Sequence, residues 1–548
     1  MNKSVLAAAV LSCVASMSAF SVAGAAPAVP EPGDSLEAVT EKPAPELDNQ
    51  LPNPASQKPA LRFTLNDIKV EQPETNFDQK QLQAIASKAV GHEITVKDLD
   101  SVLWELATYG RSHGYPAAYA YVPEQKAKGG VLIVRLALGR YDEIQVDSHV
   151  KPAQAERARG LLAGLKSGGI IEEKSLETSL FNVNEMYGVE ARGSLKPGSK
   201  DGTSNLTVTL TPGKKQTATL YADNYGSKSS GRYRYGFQAD FMGLGDTDSR
   251  FTVGGLLSNN NLHNYNLGWE THVGHSATTL GIRYSRMDYQ LGSIFTDLDA
   301  RGIANTLNIY GKTPLWKTVG SSLSVKYGFA YRTMTDEMRN NGVNIKKHSN
   351  VGHVGLEGML RNTTSGFSMR YDVAGYIGDV ASDSQWGDIV GQAGNTLGNF
   401  TKGVLEVNAL QKLGRDFDLV FNFQGQKSSR NLDSSEQLFL GGPRGVRAYP
   451  SGDGAGDEGY LSTLELHYRT PLQGLMFRAY YDMGHVKVAR DGHLGGQTLK
   501  GWGIGLTYQH PDHYFVKLDY ARRIGLTNNP SEDAKSPQRI WFLVGKTW

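Results

Sequence analysis

Apolar positions along this chain follow two periods, and the point where one of them stops divides the sequence. Between Leu61 and Leu210, stretches of helical and strand spacing alternate, whereas from Lys214 to Trp548 only the strand period remains. Phe63 to Val70 reads as one period-two strand. Leu82, Ile85, Ala86 and Ala89 then share a helical face. A second helix follows, with Thr95 as N-cap and Val96, Leu99, Val102, Leu103, Leu106 and Tyr109 as its apolar stripe. Residues 117–122 and 131–138 read as strands. The same order of strand, helix, helix, strand and strand returns at 141–146, 153–165, 174–187, 189–195 and 206–210, and a repeat at domain scale says more than either copy alone.

In the second part, the odd positions from Tyr233 to Phe241 are apolar or aromatic while the even ones carry Arg, Gly, Gln and Asp. Tyr265, Leu267, Trp269 and Val273 alternate with Asn264, Asn266, Glu270 and His272 in the same way. A soluble β-sandwich alternates too, so number and length decide. Strands begin near residues 217, 234, 248, 262, 278, 304, 321, 348, 366, 398, 417, 459, 475, 497, 514 and 539, each about ten residues or longer, the length of a tilted strand crossing a bilayer. Sixteen is an even count, which closes an antiparallel barrel without free edges. The predicted fold is a sixteen-stranded antiparallel transmembrane β-barrel preceded by two α+β modules.

Composition agrees with this. Mean hydropathy is −0.39, as expected when only alternate side chains face lipid. Lys+Arg number 57 against 55 Asp+Glu, a balance with no nucleic-acid footprint. Residues 1–25, with Lys3, an apolar run from Val5 and small residues at Ala23-Gly24-Ala25, read as a cleavable secretory signal. Cys13, the one cysteine, leaves with it, so the mature chain has no disulfide or thiolate site. Residues 26–60 are proline-rich linker, with a short helix over 34–39. Gly311-Lys312-Thr313 and Gly545-Lys546-Thr547 lack the upstream glycine of a phosphate-binding loop, and neither GxSxG nor HExxH occurs. His510-Pro511-Asp512-His513 sits where polar turn residues are expected, so no enzyme, metal or cofactor is predicted.

One stretch is loop by composition yet too long and too patterned for a hairpin turn. Leu438 to Gly459, LFLGGPRGVRAYPSGDGAGDEG, places Val446-Arg447-Ala448-Tyr449 between glycine-rich flanks. It resembles the VRGY/F loop of the two-partner secretion transporters (TpsB), with Ala448 where Gly is commoner. Tyr480-x-Asp482-x-Gly484 resembles that family's FxDxG motif on the thirteenth strand, with Tyr for Phe. Asp223-Asn224-Tyr225-Gly226, Gly231-Arg232-Tyr233, Gly456-Asp457-Glu458-Gly459 and the aromatic last strand resemble family patterns as well. The two α+β modules resemble POTRA domains, down to the Leu195-Lys196-Pro197-Gly198 turn.

The resemblance implies the division 1–25 signal peptide, 26–60 linker with a helix that plugs the barrel, 61–139 first POTRA domain, 140–213 second POTRA domain and 214–548 barrel. It implies an outer-membrane transporter that receives an unfolded exoprotein in the periplasm and passes it through the barrel without ATP. The partner is then a haemolysin, adhesin or contact-dependent toxin, and the barrel-assembly machinery and outer-membrane lipid act in biogenesis. A barrel-insertion factor of the same superfamily is the alternative, and two spacer domains are the bland reading of the POTRA pair. With those domains periplasmic, loops after odd strands face outward, so residues 430–458 form the sixth extracellular loop, which the family folds inward. An arginine drawn into a lumen needs an acidic partner. On the thirteenth strand the even residues Arg478, Tyr480, Asp482 and Gly484 face the lumen, so Arg447 is paired with Asp482 through the guanidinium fork. Asp482 with Arg478 is the competing pairing, and Arg444 the competing loop arginine.

Overall fold

The computed structural model of the chain describes residues 45–49 and 62–548, apart from 73, 127, 493, 511–512 and 526–534. The signal segment at 1–25 and the helix expected over 34–39 lie outside the described residues.

The first module contains β2 (Arg62–Thr64), β3 (Asp67–Glu71), α1 (Gln79–Ala86), β4 (Glu93–Thr95), α2 (Val96–Ser112), β5 (Tyr119–Tyr121) and β6 (Val131–Ala137). Its main sheet runs β3-β6-β5, with β3 and β6 parallel. The single strand expected from Phe63 to Val70 is two. Leu65 and Ile68 are both buried, and an unbroken strand puts residues three apart on opposite faces, so the chain bends at Asn66. Phe63 then pairs with Ile94 of β4, a strand too short to leave a periodic signal. Helix α2 starts where Thr95 predicts, and Thr95 and Asp98 satisfy each other's main-chain N–H groups in a capping box.

The second module is β7 (Arg140–Ser148), α3 (Pro152–Leu162), α4 (Glu173–Asn184), β8 (Val189–Pro197) and β9 (Thr203–Pro212), in the sheet order β7-β9-β8. Leu176, Val183, Met186, Leu195 and Val208 close its core. The outer edge of β8 is not free. The linker strand β1 (Leu47–Asn49) runs parallel along it, and Gly193 N–H donates to Glu46 O at 2.9 Å.

The barrel closes through β10 (Gln216–Asp223), β11 (Arg234–Met242), β12 (Ser249–Ser258), β13 (Leu262–Val273), β14 (Thr278–Gln290), β15 (Ala300–Lys317), β16 (Ser321–Met338) and β17 (Val343–Asn362). It continues with β18 (Phe367–Ser382), β19 (Gly398–Lys412), β20 (Phe417–Ser428), β23 (Glu458–Arg469), β24 (Leu475–Lys487), β25 (Gly496–Gln509), β26 (Tyr514–Arg523) and β27 (Gln538–Thr547), which pairs back onto β10. All sixteen strands are antiparallel to their neighbours, and each begins close to its expected start. Tyr235, Phe237, Leu267, Trp269, Phe477 and Tyr481 point outward, whereas Arg478, Tyr480 and Asp482 point inward, as parity requires.

Two features of the barrel loops carry little periodic signal. A helix, α5 (Gln385–Gly394), sits in the loop between β18 and β19, capped by Ser384 Oγ, which accepts from Gly387 N–H. Inside the sixth loop, β21 (Leu438–Phe439) pairs with β22 (Ala455–Gly456). The second module meets the barrel through Tyr187, whose N–H donates to Asp248 at 2.8 Å, whose ring stacks on His272 and whose hydroxyl reaches Glu270. Lys317 binds Glu185 at 2.5 Å beside it.

Candidate functional site

Residues 429–457 leave the top of β20 and turn back into the lumen as a tongue. The β21–β22 pair forms its stalk, and Leu440 N–H donates to Gly454 O at 2.9 Å to begin the tip. Within the tip, Val446 N–H reaches Leu440 O at 2.7 Å, and Gly442 N–H reaches Tyr449 O at 3.1 Å. Gly442 has φ of 118°, a conformation side chains oppose, so the glycine flank has a steric reason there. Val446, Ala448 and Tyr449 pack on Leu440, Leu499 and Ala521 in a small apolar cluster. Arg447 is thereby buried to 3% exposure, while Arg444 stays exposed and cannot take its place.

Arg447 meets Asp482. Its Nε and Nη2 donate to the two carboxylate oxygens at 2.9 and 2.7 Å, and its main-chain N–H donates to the same carboxylate at 3.0 Å. Nη2 also lies 2.7 Å from Glu465 Oε1 on β23, and Asp519 of β26 is 3.9 Å from Nη1. Arg478, the competing partner, donates instead to Asp519 at 2.8 Å. The site is thus a buried network of two arginines and three carboxylates, extended by His467, which lies 2.8 Å from Glu465. Burying that many charges is tolerable only because each finds partners of opposite sign.

The other motif residues have local reasons. Tyr480 lies flat beneath Arg447, 3.3 Å from guanidinium carbon to ring centroid, and its hydroxyl donates to Tyr520 O at 3.1 Å. The ring gives the guanidinium an aromatic face, and the hydroxyl has a partner of its own. At Gly484 a Cβ would stand 2.7 Å from Leu440 Cδ2, so the glycine lets the Leu440 side chain of the tongue pack on the strand without shifting. Trp541 of β27 donates its indole N–H to Arg447 O at 2.7 Å, and Ser451 Oγ donates to Tyr225 O at 2.8 Å, which ties the tip to the last strand and the first hairpin. Sequence reasoning did not single out Glu465 or Asp519. Parity marks both as lumen-facing, but many lumen positions are charged, and which of them meet depends on strand stagger.

Ala448 sits against a glycine of the wall, Gly501. A Cβ on Gly501 would come 2.7 Å from the Ala448 Cβ. Gly501→Ala is therefore expected to push the tip off its seat, at a cost of roughly 1–3 kcal/mol for overpacking. Secretion falls, and adding Ala448→Gly restores it; a double variant no better than Gly501→Ala contradicts this contact.

The profile of the family described as "Haemolysin secretion/activation protein ShlB/FhaC/HecB" matches residues 202–508, and that of the ShlB-type POTRA domain matches residues 63–139. The heme/hemopexin transporter protein HuxB of Haemophilus influenzae is 26% identical over 527 residues, 92% of each chain. The outer membrane transporter CdiB of Dickeya dadantii is 22% identical over 487 residues, 84% of each. Among solved structures, CdiB from Escherichia coli superposes with a TM-score of 0.67 at 19% identity, covering 91% of this chain and 93% of that one. BamA from Haemophilus ducreyi, lacking POTRA domains 1–3, reaches 0.52 at 12% identity, covering 89% of this chain and 100% of its own. These two likenesses concern the fold.

Proposed function

The chain belongs to the ShlB/FhaC/HecB family of haemolysin secretion/activation proteins, and from that premise we propose how it moves its cargo. It is an outer-membrane transporter of the two-partner secretion type, a channel and not an enzyme, and it acts with a large secreted exoprotein. In our reading, the two periplasmic modules receive this exoprotein unfolded, by strand addition and helix contact. The barrel then passes it outward without nucleotide hydrolysis. The inward tongue, fixed by Arg447 and Asp482, governs the lumen. The observation that carries this reading is the buried Arg447–Asp482 pair, which holds an extracellular loop inside the barrel by main-chain and side-chain bonds together. Likeness to heme/hemopexin transporters favours a partner concerned with haem or hemopexin over a haemolysin, adhesin or contact-dependent toxin. The two-module receptor argues against the alternative of a barrel-insertion factor, which in the superfamily carries more such modules. The aromatic last strand, ending at Trp548, suits recognition by the barrel-assembly machinery before insertion into lipid.

Reconstitution tests this. With the purified chain in liposomes and the unfolded partner added on the POTRA side, the partner should cross in the absence of any nucleotide. Transport that needs ATP contradicts the reading. We also propose that the segment before Leu47 restricts the pore. Removing residues 27–44, which leaves the β1 contact in place, is expected to raise single-channel conductance in planar bilayers while secretion persists. Unchanged conductance means that no plug resides in the lumen.

A further inference from the structure

Arg447 is not the only point at which the tongue is held. Its descending arm carries Asp433 and Glu436, both buried, on a short turn in which Asp433 accepts from Ser435 N–H at 3.0 Å. Their carboxylates face three cations from other strands. Lys347 of β17 reaches Asp433 at 2.6 Å, and Arg332 of β16 and Lys402 of β19 reach Glu436 at 3.1 and 2.8 Å. Arg332 and Lys402 also bond the main-chain oxygens of Ser435 and Glu436. Leu432 sits beside them against Val351, Val380 and Phe400. These partners lie on the seventh, eighth and tenth strands, whereas the tip is held by the twelfth, thirteenth, fifteenth and sixteenth. The two clusters share no side chain, so the tongue is fixed to two separate sectors of the wall and spans between them.

We propose that Asp433 and Glu436, with Lys347, Arg332 and Lys402, form a second clamp that must open for cargo to pass while Arg447 stays seated. The two clamps differ in the kind of bond they use. The tip is held by a planar two-bond fork, a main-chain donor, an aromatic face and an indole N–H, a geometry that only Arg447 in its own loop fulfils. Two of the three arm cations are lysines, point charges that any carboxylate of a passing polypeptide can take over. Ser434 Oγ and Arg332 Nε are buried there without a hydrogen-bond partner among the described residues, against Arg478 Nε alone in the tip network, so the arm is also the less completely bonded of the two. An unfolded chain in the lumen therefore competes for the arm before it competes for the tip. These five are positioning residues, which act on transport through the tongue.

This inference rests on the transport reading above, and one experiment separates them. In the full-length chain, whose only other cysteine is Cys13, Lys347→Cys with Asp433→Cys places two cysteines on the clamp. A short bis-methanethiosulfonate bridges them through two disulfides that reductant removes. The unbridged variant is expected to insert and secrete its partner, to lose secretion when bridged, and to regain it on reduction. Glu436→Gln, which weakens the clamp without a bridge, is expected to raise single-channel open events while Arg447 remains protected. Full secretion with the bridge in place overturns the clamp's opening and leaves the transport reading intact, as does failure to bridge. Loss of secretion in the parent chain counts against the transport reading.

Discussion

Deleting residues 61–213 is expected to leave a heat-modifiable barrel in the outer membrane and to abolish secretion of the partner. The expectation follows from where the cores lie. The two modules close their own apolar clusters, one around Ile68, Leu82 and Leu106 and the other around Leu176, Val183 and Leu195, and neither shares a residue with the barrel. The barrel ladder closes from β10 through β27 without help from either module. Loss of Tyr187 from the junction does not strand Glu270, which keeps Arg250 at 2.6 Å and Tyr310 at 2.7 Å. The barrel therefore folds, and what disappears is the pair of modules proposed as the receptor. Secretion at the normal level by the barrel alone contradicts the receptor role.

Arg447→Ala and Asp482→Ala are each expected to cripple secretion while the barrel still inserts, and the two should not be equal. Without the Arg447 side chain, Asp519 and Glu465 keep Arg478 at 2.8 and 3.9 Å, while Asp482 loses both arms of the fork. Without Asp482, Arg447 keeps Glu465 at 2.7 Å and the ring of Tyr480. Removing one partner of a buried pair typically costs about 3–5 kcal/mol, less where water enters, and the larger share falls on the arginine variant. Arg447→Lys should fare little better than alanine, because an ammonium cannot reproduce the two-bond fork. A secretion assay beside a heat-modifiability gel checks both halves. Equal defects would mean that Glu465 does not share Arg447.

The barrel is legible because period two is a strict rule: one-residue slips would expose Asp482 and Arg478 to lipid, so parity fixes which residues face the lumen. The inward face of β24 follows from Phe477, Ala479 and Tyr481 alone. Short elements were harder to read. The bend at Asn66 hides in a run whose residue types all suit strand, and Leu47–Asn49 is three residues long, with its place set by the edge of β8. The site was legible in part. Arg447 stands out by its glycine flanks and Asp482 by its motif, while Glu465, Asp519 and Lys347 look like any charged lumen position. Their partners come from strands far apart in sequence, and alternation along one strand carries no information on stagger between strands.

The central claim is that the tip of the sixth loop lies in the lumen against β24 with Arg447 at Asp482. It is tested most directly by cross-linking in membranes. The main-chain N–H of Arg447 sits 3.0 Å from the Asp482 carboxylate, so a single short side chain separates the two backbones. Arg447→Cys with Asp482→Cys, in a chain whose only other cysteine is Cys13, is predicted to form a disulfide on oxidation. Arg444→Cys with Asp482→Cys should not. A bridge from position 444 and none from position 447, or none from either, would contradict the account.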